Sequence, residues 1–281
     1  MSLLGVLGLG LLDPATAILR ADDVGVTRGD GCFEGLRIRT DPAGHSTVHK
    51  LDMHLARMSR SSAALDIAFD EDGWRSLIAE SCASWTTPGE AALKLVLTRG
   101  PASGTSTGFL TVSPLPSDHL RQRREGLRVI TLSRGVTSDA FAGAPWLLGG
   151  VKTLSYAVNM AAQREAERRG ADEAILVSTD GKVLEAPTGS VVWSIGRTLH
   201  TTPPGATGIL SGTTQRLLFE RAVENGWAAA ESLVSVDDLH GADVVWVISS
   251  VRGPVDVVAL DGKQRPRVPE VDAEIRSLCG F

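Results

Sequence analysis

Two rhythms of apolar and polar positions alternate along this 281-residue chain, and each change of rhythm marks an element. Met1 to Leu12 is an apolar, Gly-rich stretch that predicts an opening strand, loose over its first few residues. Ala17–Arg20 is strand-like, Arg28-Gly29-Asp30-Gly31 is a turn, and Cys32 to Arg39 returns to β character. Asp41-Pro42-Ala43-Gly44 predicts a hairpin turn into Thr47-Val48-His49. From Leu51 to Leu65 the residues Leu51, Leu55, Met58 and Leu65 fall at helical spacing, with Asp52 as candidate N-cap. A helix over Asp72–Trp85 and strands over Ala91–Thr98 and Phe109–Val112 complete this part.

Ser113-Pro114-Leu115-Pro116-Ser117 and the polar, basic run from His119 to Glu125 have the composition of a linker. They predict a small N-terminal domain over 1–115, a linker over 116–126 and a larger domain over 127–281. The larger domain opens with a strand over 127–132 and a Gly/Ala-rich loop over 138–150. A helix follows over Tyr156–Arg169, stopped by Gly170. Next come a hairpin (173–177 with 183–185), strands over 190–195 and 198–200, and a helix over Thr213–Asn225. Strands over 243–249 and 255–260 end the pattern. The fold class is α/β in the α+β sense: a smaller N-terminal α/β domain and a larger, β-rich C-terminal one.

Composition narrows the function. A net charge of −5 gives no basic surface for nucleic acid or an anionic membrane. The apolar N-terminus has no basic start and no small-residue cleavage site, and it is too short to span a bilayer. A cytoplasmic protein with no membrane partner is expected. Cys32, Cys82 and Cys279 are odd in number and widely spaced, so they predict free thiols and no metal site.

Of 28 basic residues only Lys50, Lys94, Lys152, Lys182 and Lys263 are lysine. An amine can lose its proton and attack an aldehyde, which a guanidinium cannot do. Lys50 follows a β-like run, Lys94 lies in one, and Lys182 and Lys263 sit in Asp-Gly-Lys turns. Lys152 instead lies between a Gly pair and an Ala-rich helix, as a reactive amine or as a surface loop lysine. The residues that follow suggest a pyridoxal-phosphate site, which needs an amine, a carboxylate for the pyridine nitrogen and donors for a phosphate. Glu185 is the candidate carboxylate, or else a surface residue at a strand end. Gly208 to Thr214 opens into a helix, so Thr213 and Thr214 suit either an anion or an ordinary cap. Ser249-Ser250 is a second hydroxyl pair, and Arg57 is a candidate phosphate partner or a solvated helix residue. Tyr156, the sole tyrosine, lies one turn from Lys152 if that region is helical, lining the site or simply packing.

Arg28-Gly-Asp-Gly-Cys-Phe-Glu-Gly-Leu-Arg37, His54-x-x-Arg57, Lys152-Thr-Leu-Ser-Tyr156, Glu185, Thr202-Pro203-Pro204 and Gly208–Thr214 occur in one order. That order resembles the class IV, or fold type IV, pyridoxal-phosphate enzymes, over about Asp22 to Gly262. These include branched-chain and D-amino-acid aminotransferases and aminodeoxychorismate lyases. The resemblance implies two α/β domains with pyridoxal 5'-phosphate between them, and a homodimer. It places the cofactor-binding lysine on Lys152 and the pyridine-nitrogen glutamate on Glu185. The phosphate contacts fall on Arg57, Thr213, Thr214, Ser249 and Ser250. Ser190 stands where the family often has Asn, and Gln215 where an Arg commonly ends the helix-start run.

Lys-Thr-Leu-Ser-Tyr is nearer to the lyases and D-amino-acid aminotransferases than to the branched-chain enzymes. Arg28 and Arg99 are cations for a small-molecule carboxylate substrate, and two would suit the two carboxylates of 4-amino-4-deoxychorismate. Against this, Arg28 could form a structural ion pair with Asp22 or Asp30. The lyase, releasing pyruvate and 4-aminobenzoate, is the first expectation, and an aminotransferase for D- or branched-chain amino acids the second. A third is a serine hydrolase: Gly104-Thr-Ser106-Thr-Gly108 matches a nucleophile elbow, with Asp139 and His200 or His240 following. Its context is unfavourable, since a polar loop precedes Ser106 and a strand follows.

Overall fold

The computed structural model describes residues 2–102 and 104–281 and divides the chain into two compact units. The first runs to Pro116 and also takes Val151–Tyr156; the second holds Ser117–Gly150 and Ala157–Phe281. The chain therefore leaves its second unit for six residues, a return that a single linker does not anticipate. Met1, the first residue expected to be loose, lies outside the described residues. Among those described there are eight α-helices and two sheets.

The first unit contains β1 (Leu3–Val6), β2 (Gly10–Leu12), α1 (Val24–Arg28), β3 (Gly31–Thr40) and β4 (Ser46–Val48). It continues with α2 (Leu51–Ala64), α3 (Glu71–Ser84), β5 (Gly89–Thr98) and β6 (Thr107–Pro114). The apolar start is a hairpin and not one strand, because Gly8 and Gly10 take φ of 76° and 77° and reverse the chain between β1 and β2. The sheet is antiparallel throughout, in the order β2-β1-β6-β5-β3-β4. Leu36 and Ile38 of β3, Leu93 and Leu95 of β5, and Leu55 and Met58 of α2 are all fully or almost fully buried. Each such side chain contributes about 1.5–3 kcal/mol of burial.

Two local expectations fail here. Asp52 does not cap α2; Lys50 occupies the N-cap with φ 59°, and Asp52 pairs with Arg75 at 2.7 Å. Ala17–Arg20 is irregular, because its flanking backbone groups bond within local turns (Thr16 N–H to Asp13 O, Asp23 N–H to Arg20 O) and not to a strand.

The second unit opens with α4 (Ser117–Glu125), a helix where a linker was expected. No Gly or Pro interrupts 117–125, and Gly126 (φ 80°) ends it. Then come β7 (Leu127–Ser133), α5 (Ala157–Arg168), β8 (Glu173–Val177), β9 (Ser190–Ile195) and β10 (Thr198–Thr201). The rest is α6 (Thr213–Glu224), β11 (Ala228–Glu231), α7 (Val236–Gly241), β12 (Val244–Ser249), β13 (Gly253–Leu260), β14 (Lys263–Gln264) and α8 (Pro269–Cys279). The strand order is β11-β10-β9-β12-β13-β7-β8, with β14 on β13. β7 runs parallel to β8 and β13, and β10 to β11; the other pairs are antiparallel.

Both faces of the central strands are covered, which explains the unbroken apolar run Val244–Ile248. Val245 and Val247 pack with Trp193 and Leu239 on one face. Val244, Trp246 and Ile248 pack with Leu218 of α6 and Ile275 of α8 on the other. No helix among the described residues is long and apolar enough to cross a membrane. The cysteines are free thiols, and Cys32 is pushed up to about 12 by burial and then by Glu34.

Candidate active site

Val151–Tyr156 is an extended segment laid along β3. Phe33 N–H donates to Lys152 O (3.0 Å), Leu154 N–H donates to Gly31 O (2.8 Å), and Lys152 N–H donates to Ser61 Oγ (3.2 Å). The Arg-Gly-Asp-Gly run makes room for it. A Cβ on Gly31 would stand 2.5 Å from Leu97 O and 2.7 Å from the Leu154 side chain. Gly29 adopts φ 72°, and a Cβ there would meet Ser155 Oγ at 2.6 Å.

The segment is not helical, so Tyr156 reaches Lys152 by a different route from the one-turn spacing. Phe33 and Tyr156 meet edge to face at 5.2 Å, and Lys152 Nζ lies 4.4 Å from the Phe33 ring centre and 5.7 Å from that of Tyr156. The amine thus sits against two aromatic rings, held by backbone bonds on either side of its own residue.

Beside Phe33 on β3, Glu34 is fully buried and binds two residues of α2. It accepts from Arg57 Nε (2.7 Å) and Nη2 (2.8 Å), and its Oε2 lies 2.7 Å from His54 Nδ1. Burial pushes the Glu34 carboxyl upward, but the charge and hydrogen bonds of Arg57 and His54 win and hold it at about 2. His54 goes below its ordinary value, because burial outweighs the attraction of Glu34. Arg57 is therefore a buried, fork-held guanidinium and not a solvated helix residue. Glu34 was not singled out from the sequence; the available signal was an acid at an otherwise apolar strand position with His and Arg three apart on the next helix.

The two substrate arginines differ. Arg99 donates to Asp30 (Nε–Oδ2 2.5 Å, Nη2–Oδ1 3.2 Å) and to Leu65 O (2.5 Å). Asp22 pairs with Arg20. Neither acid is left for Arg28, which ends α1 as an exposed guanidinium with no ion-pair partner among the described residues. The structural pair foreseen for Arg28 belongs to Arg99, so the carboxylate role expected of Arg99 meets a guanidinium already engaged.

In the second unit Glu185 follows the hairpin in which Leu176 N–H donates to Glu185 O (2.8 Å). Its Oε2 accepts from Leu210 N–H (3.0 Å), fixing the carboxylate to the loop before α6. That loop ends at Gly212, the N-cap of α6, where a Cβ would stand 2.4 Å from Ser190 Oγ. Thr213 and Thr214 form the first turn, nearly buried, and their Oγ1 atoms lie 3.0 Å and 2.9 Å from Ser250 Oγ. Ser249 is separated from this group: its Oγ accepts from Arg252 N–H (3.3 Å) and closes the turn after β12. Three hydroxyls at a helix start whose cap has no side chain suit a phosphate, and the fixed carboxylate of Glu185 suits a protonated ring nitrogen.

The context a hydrolase elbow needs is not met. Ser106 lies in the loop between β5 and β6, with a strand and not a helix after it. Asp139 accepts from the Thr137 hydroxyl (2.7 Å), and His200 stacks on Trp193 with its Nδ1 3.1 Å from Ser232 Oγ.

Residues 31–260 match the amino-transferase class IV family. The chain belongs to the class IV aminotransferases. It is 39% identical to the bifunctional aminodeoxychorismate lyase / D-amino acid transaminase of Mycobacterium tuberculosis over 277 residues, covering 94% of each chain. It is similar to a solved hypothetical aminotransferase of that organism in a PLP-bound form, at 38% identity and TM-score 0.92 over 99% of this chain and 98% of the other. The same holds for a form of that protein with α-ketoglutarate and PMP bound (38%, TM-score 0.92, 99% and 98% covered). As a class IV aminotransferase this chain is a pyridoxal-phosphate-dependent enzyme of fold type IV.

Proposed function

We propose that this enzyme is a 4-amino-4-deoxychorismate lyase, releasing pyruvate to form 4-aminobenzoate, and works as a cytoplasmic homodimer. The observation that carries a carboxylate-bearing substrate is Arg28; the choice of the lyase leans on the relative named below. Its exposed guanidinium has no acidic partner among the described residues, and the next residue, Gly29, packs on Ser155 of the segment that holds Lys152. A substrate carboxylate bound there would sit in the same unit as the Lys152 segment. The lyase activity named for the 39% identical relative supports the same choice.

When bound, pyridoxal phosphate supplies an electron sink for negative charge at the amine-bearing carbon. Lys152 would hold the cofactor through Nζ and, once freed by the substrate amine, would take the proton from the amine-bearing carbon. Glu185, oriented by Leu210 N–H, keeps a proton on the ring nitrogen. Thr213, Thr214, Ser250 and the first-turn N–H groups of α6 would hold the phosphate, and Arg57 is a further cofactor contact that the family resemblance implies. Ser190 packs on the cap of that helix, and Tyr156 and Phe33 flank the amine. Loss of the enolpyruvyl group with a proton added to its methylene gives pyruvate, and the ring becomes aromatic.

A D-amino-acid transaminase is the second reading, favoured by the double name of the same relative. There Lys152 would also be the group that returns the proton. The test incubates the cofactor-loaded protein with aminodeoxychorismate, and separately with D-alanine and α-ketoglutarate. Equimolar pyruvate and 4-aminobenzoate establish the lyase. Glutamate formation without an aromatic product establishes the transaminase alone, and neither product refutes both.

A further inference from the structure

The Ser249–Arg252 turn is tied down from two sides by arginines. From α4, Arg123 donates through Nε to Arg252 O (2.6 Å) and through Nη2 to Val251 O (3.0 Å), so one planar fork holds two carbonyls of the turn. Arg123 is itself packed, its guanidinium 4.9 Å from the Phe281 ring and its own carbonyl accepting from Arg276 Nη2. From within the turn, Arg252 points inward and is 4% exposed. It donates to Glu173 Oε2 (3.0 Å) and Gln122 Oε1 (3.3 Å), and Glu173 is completely buried.

Neither arrangement is needed to close a short hairpin. β12 and β13 already pair up to Ser249–Gly253, and Ser249 Oγ already bonds Arg252 N–H. What the arginines add is a fixed position for Ser250, whose hydroxyl leaves the turn to lie between Thr213 and Thr214. A hydroxyl has a single proton to donate, so its use to an anion depends on where its oxygen is held.

We propose that Arg123 and Arg252 are positioning residues for an anion cradle, fixing the turn so that Ser250 Oγ stands at the N-terminus of α6. This rests on the reading of Thr213, Thr214 and Ser250 as the phosphate site.

The experiment compares the Kd of the apo-protein for pyridoxal phosphate with its Kd for pyridoxal, which lacks the phosphate. Ser250→Ala tests the cradle, and Arg123→Met and Arg123→Lys test the positioning. Arg123→Met is expected to weaken pyridoxal phosphate about tenfold, the worth of roughly one hydrogen bond to a charged group, and to leave pyridoxal within about twofold. Arg123→Lys, which keeps the charge and one of the two bonds, is expected to fall between and gives the same comparison if Arg123→Met does not fold. If Ser250→Ala lowers the preference for the phosphorylated ligand and neither Arg123 variant does, positioning is overturned and the cradle stands. Equal weakening of both ligands in the Arg123 variants shows a purely structural role and also overturns it. If Ser250→Ala itself leaves the preference unchanged, the cradle reading fails first.

Discussion

Glu34→Gln isolates the buried carboxylate beneath Arg57. Its carboxyl is held at about 2 against an ordinary 4.5, a gap worth about 3 kcal/mol of folding stability at neutral pH. The amide keeps the shape but sets an NH2 group among the N–H donors of Arg57 and His54, which leaves a buried guanidinium without its counter-charge. Breaking a buried pair from one side costs about 3–5 kcal/mol, so the variant is expected to lose about 3–5 kcal/mol at pH 7. The sign of the pH dependence follows from the depressed value. The contribution is complete above pH 4.5 and is lost as pH falls through about 2. The gap between wild type and variant should therefore be constant from pH 8 to about 5 and narrow in more acidic buffer. Urea unfolding at a series of pH values, with equal slopes for both proteins, measures it. A gap below about 1 kcal/mol at pH 7, or one that widens on acidification, would refute the argument.

Lys152→Ala is expected to abolish the visible band of the lysine-bound cofactor, and Lys152→Arg to abolish it too, because a guanidinium does not add to the carbonyl; absorbance of the reconstituted proteins checks both. Arg28→Met should raise KM for aminodeoxychorismate about 10–100-fold with a smaller change in kcat, as steady-state kinetics would show, since the lost ion pair binds ground and transition states alike. His119 is pushed down to about 4 by burial and then by the nearby charges of Arg252 and Arg123. Its contribution is full above pH 6.5 and lost as pH falls toward 4, so His119→Gln should flatten that part of the stability profile measured by urea unfolding.

Periodicity located the elements whose own residues decide them. β3 spans Gly31–Thr40 where the sequence predicts 32–39, and α6 spans Thr213–Glu224 where it predicts 213–225. It failed where a tertiary partner decides. α4 has a single buried residue, Gln122, and no apolar stripe, so its composition is that of a linker; Arg121 and Arg123 tie it to Asp172 and the Ser249–Arg252 turn. α8 went unrecognised although Ile275, Leu278 and Cys279 fall at helical spacing on its buried face. The pairing of Asp30 with Arg99 rather than Arg28 is a matter of register. β3 and β5 align Gly31 with Thr98, which sets Asp30 and Arg99 side by side just beyond, where Arg99 N–H also donates to Asp30 O (3.1 Å). Register across 69 residues cannot be read from local pattern, whereas the singular setting of Lys152 can.

The scarcity of lysine acquires its meaning from what the arginines do. Arg57 and Arg267 each grip one carboxylate with two nitrogens, Arg123 spans two carbonyls, and Arg265 gathers the carbonyls of Leu239, His240 and Ala242 at the end of α7. Each task needs donors spread in one plane, and a lysine ammonium could satisfy only part of it. A planar, always-charged fork is the wrong group at position 152. There the side chain lies over the rings of Phe33 and Tyr156, and the proposed chemistry requires an atom that sheds its proton, bonds to carbon and takes the proton back. One preference thus accounts for both observations: guanidinium where the charge is fixed for good, and amine where it must change.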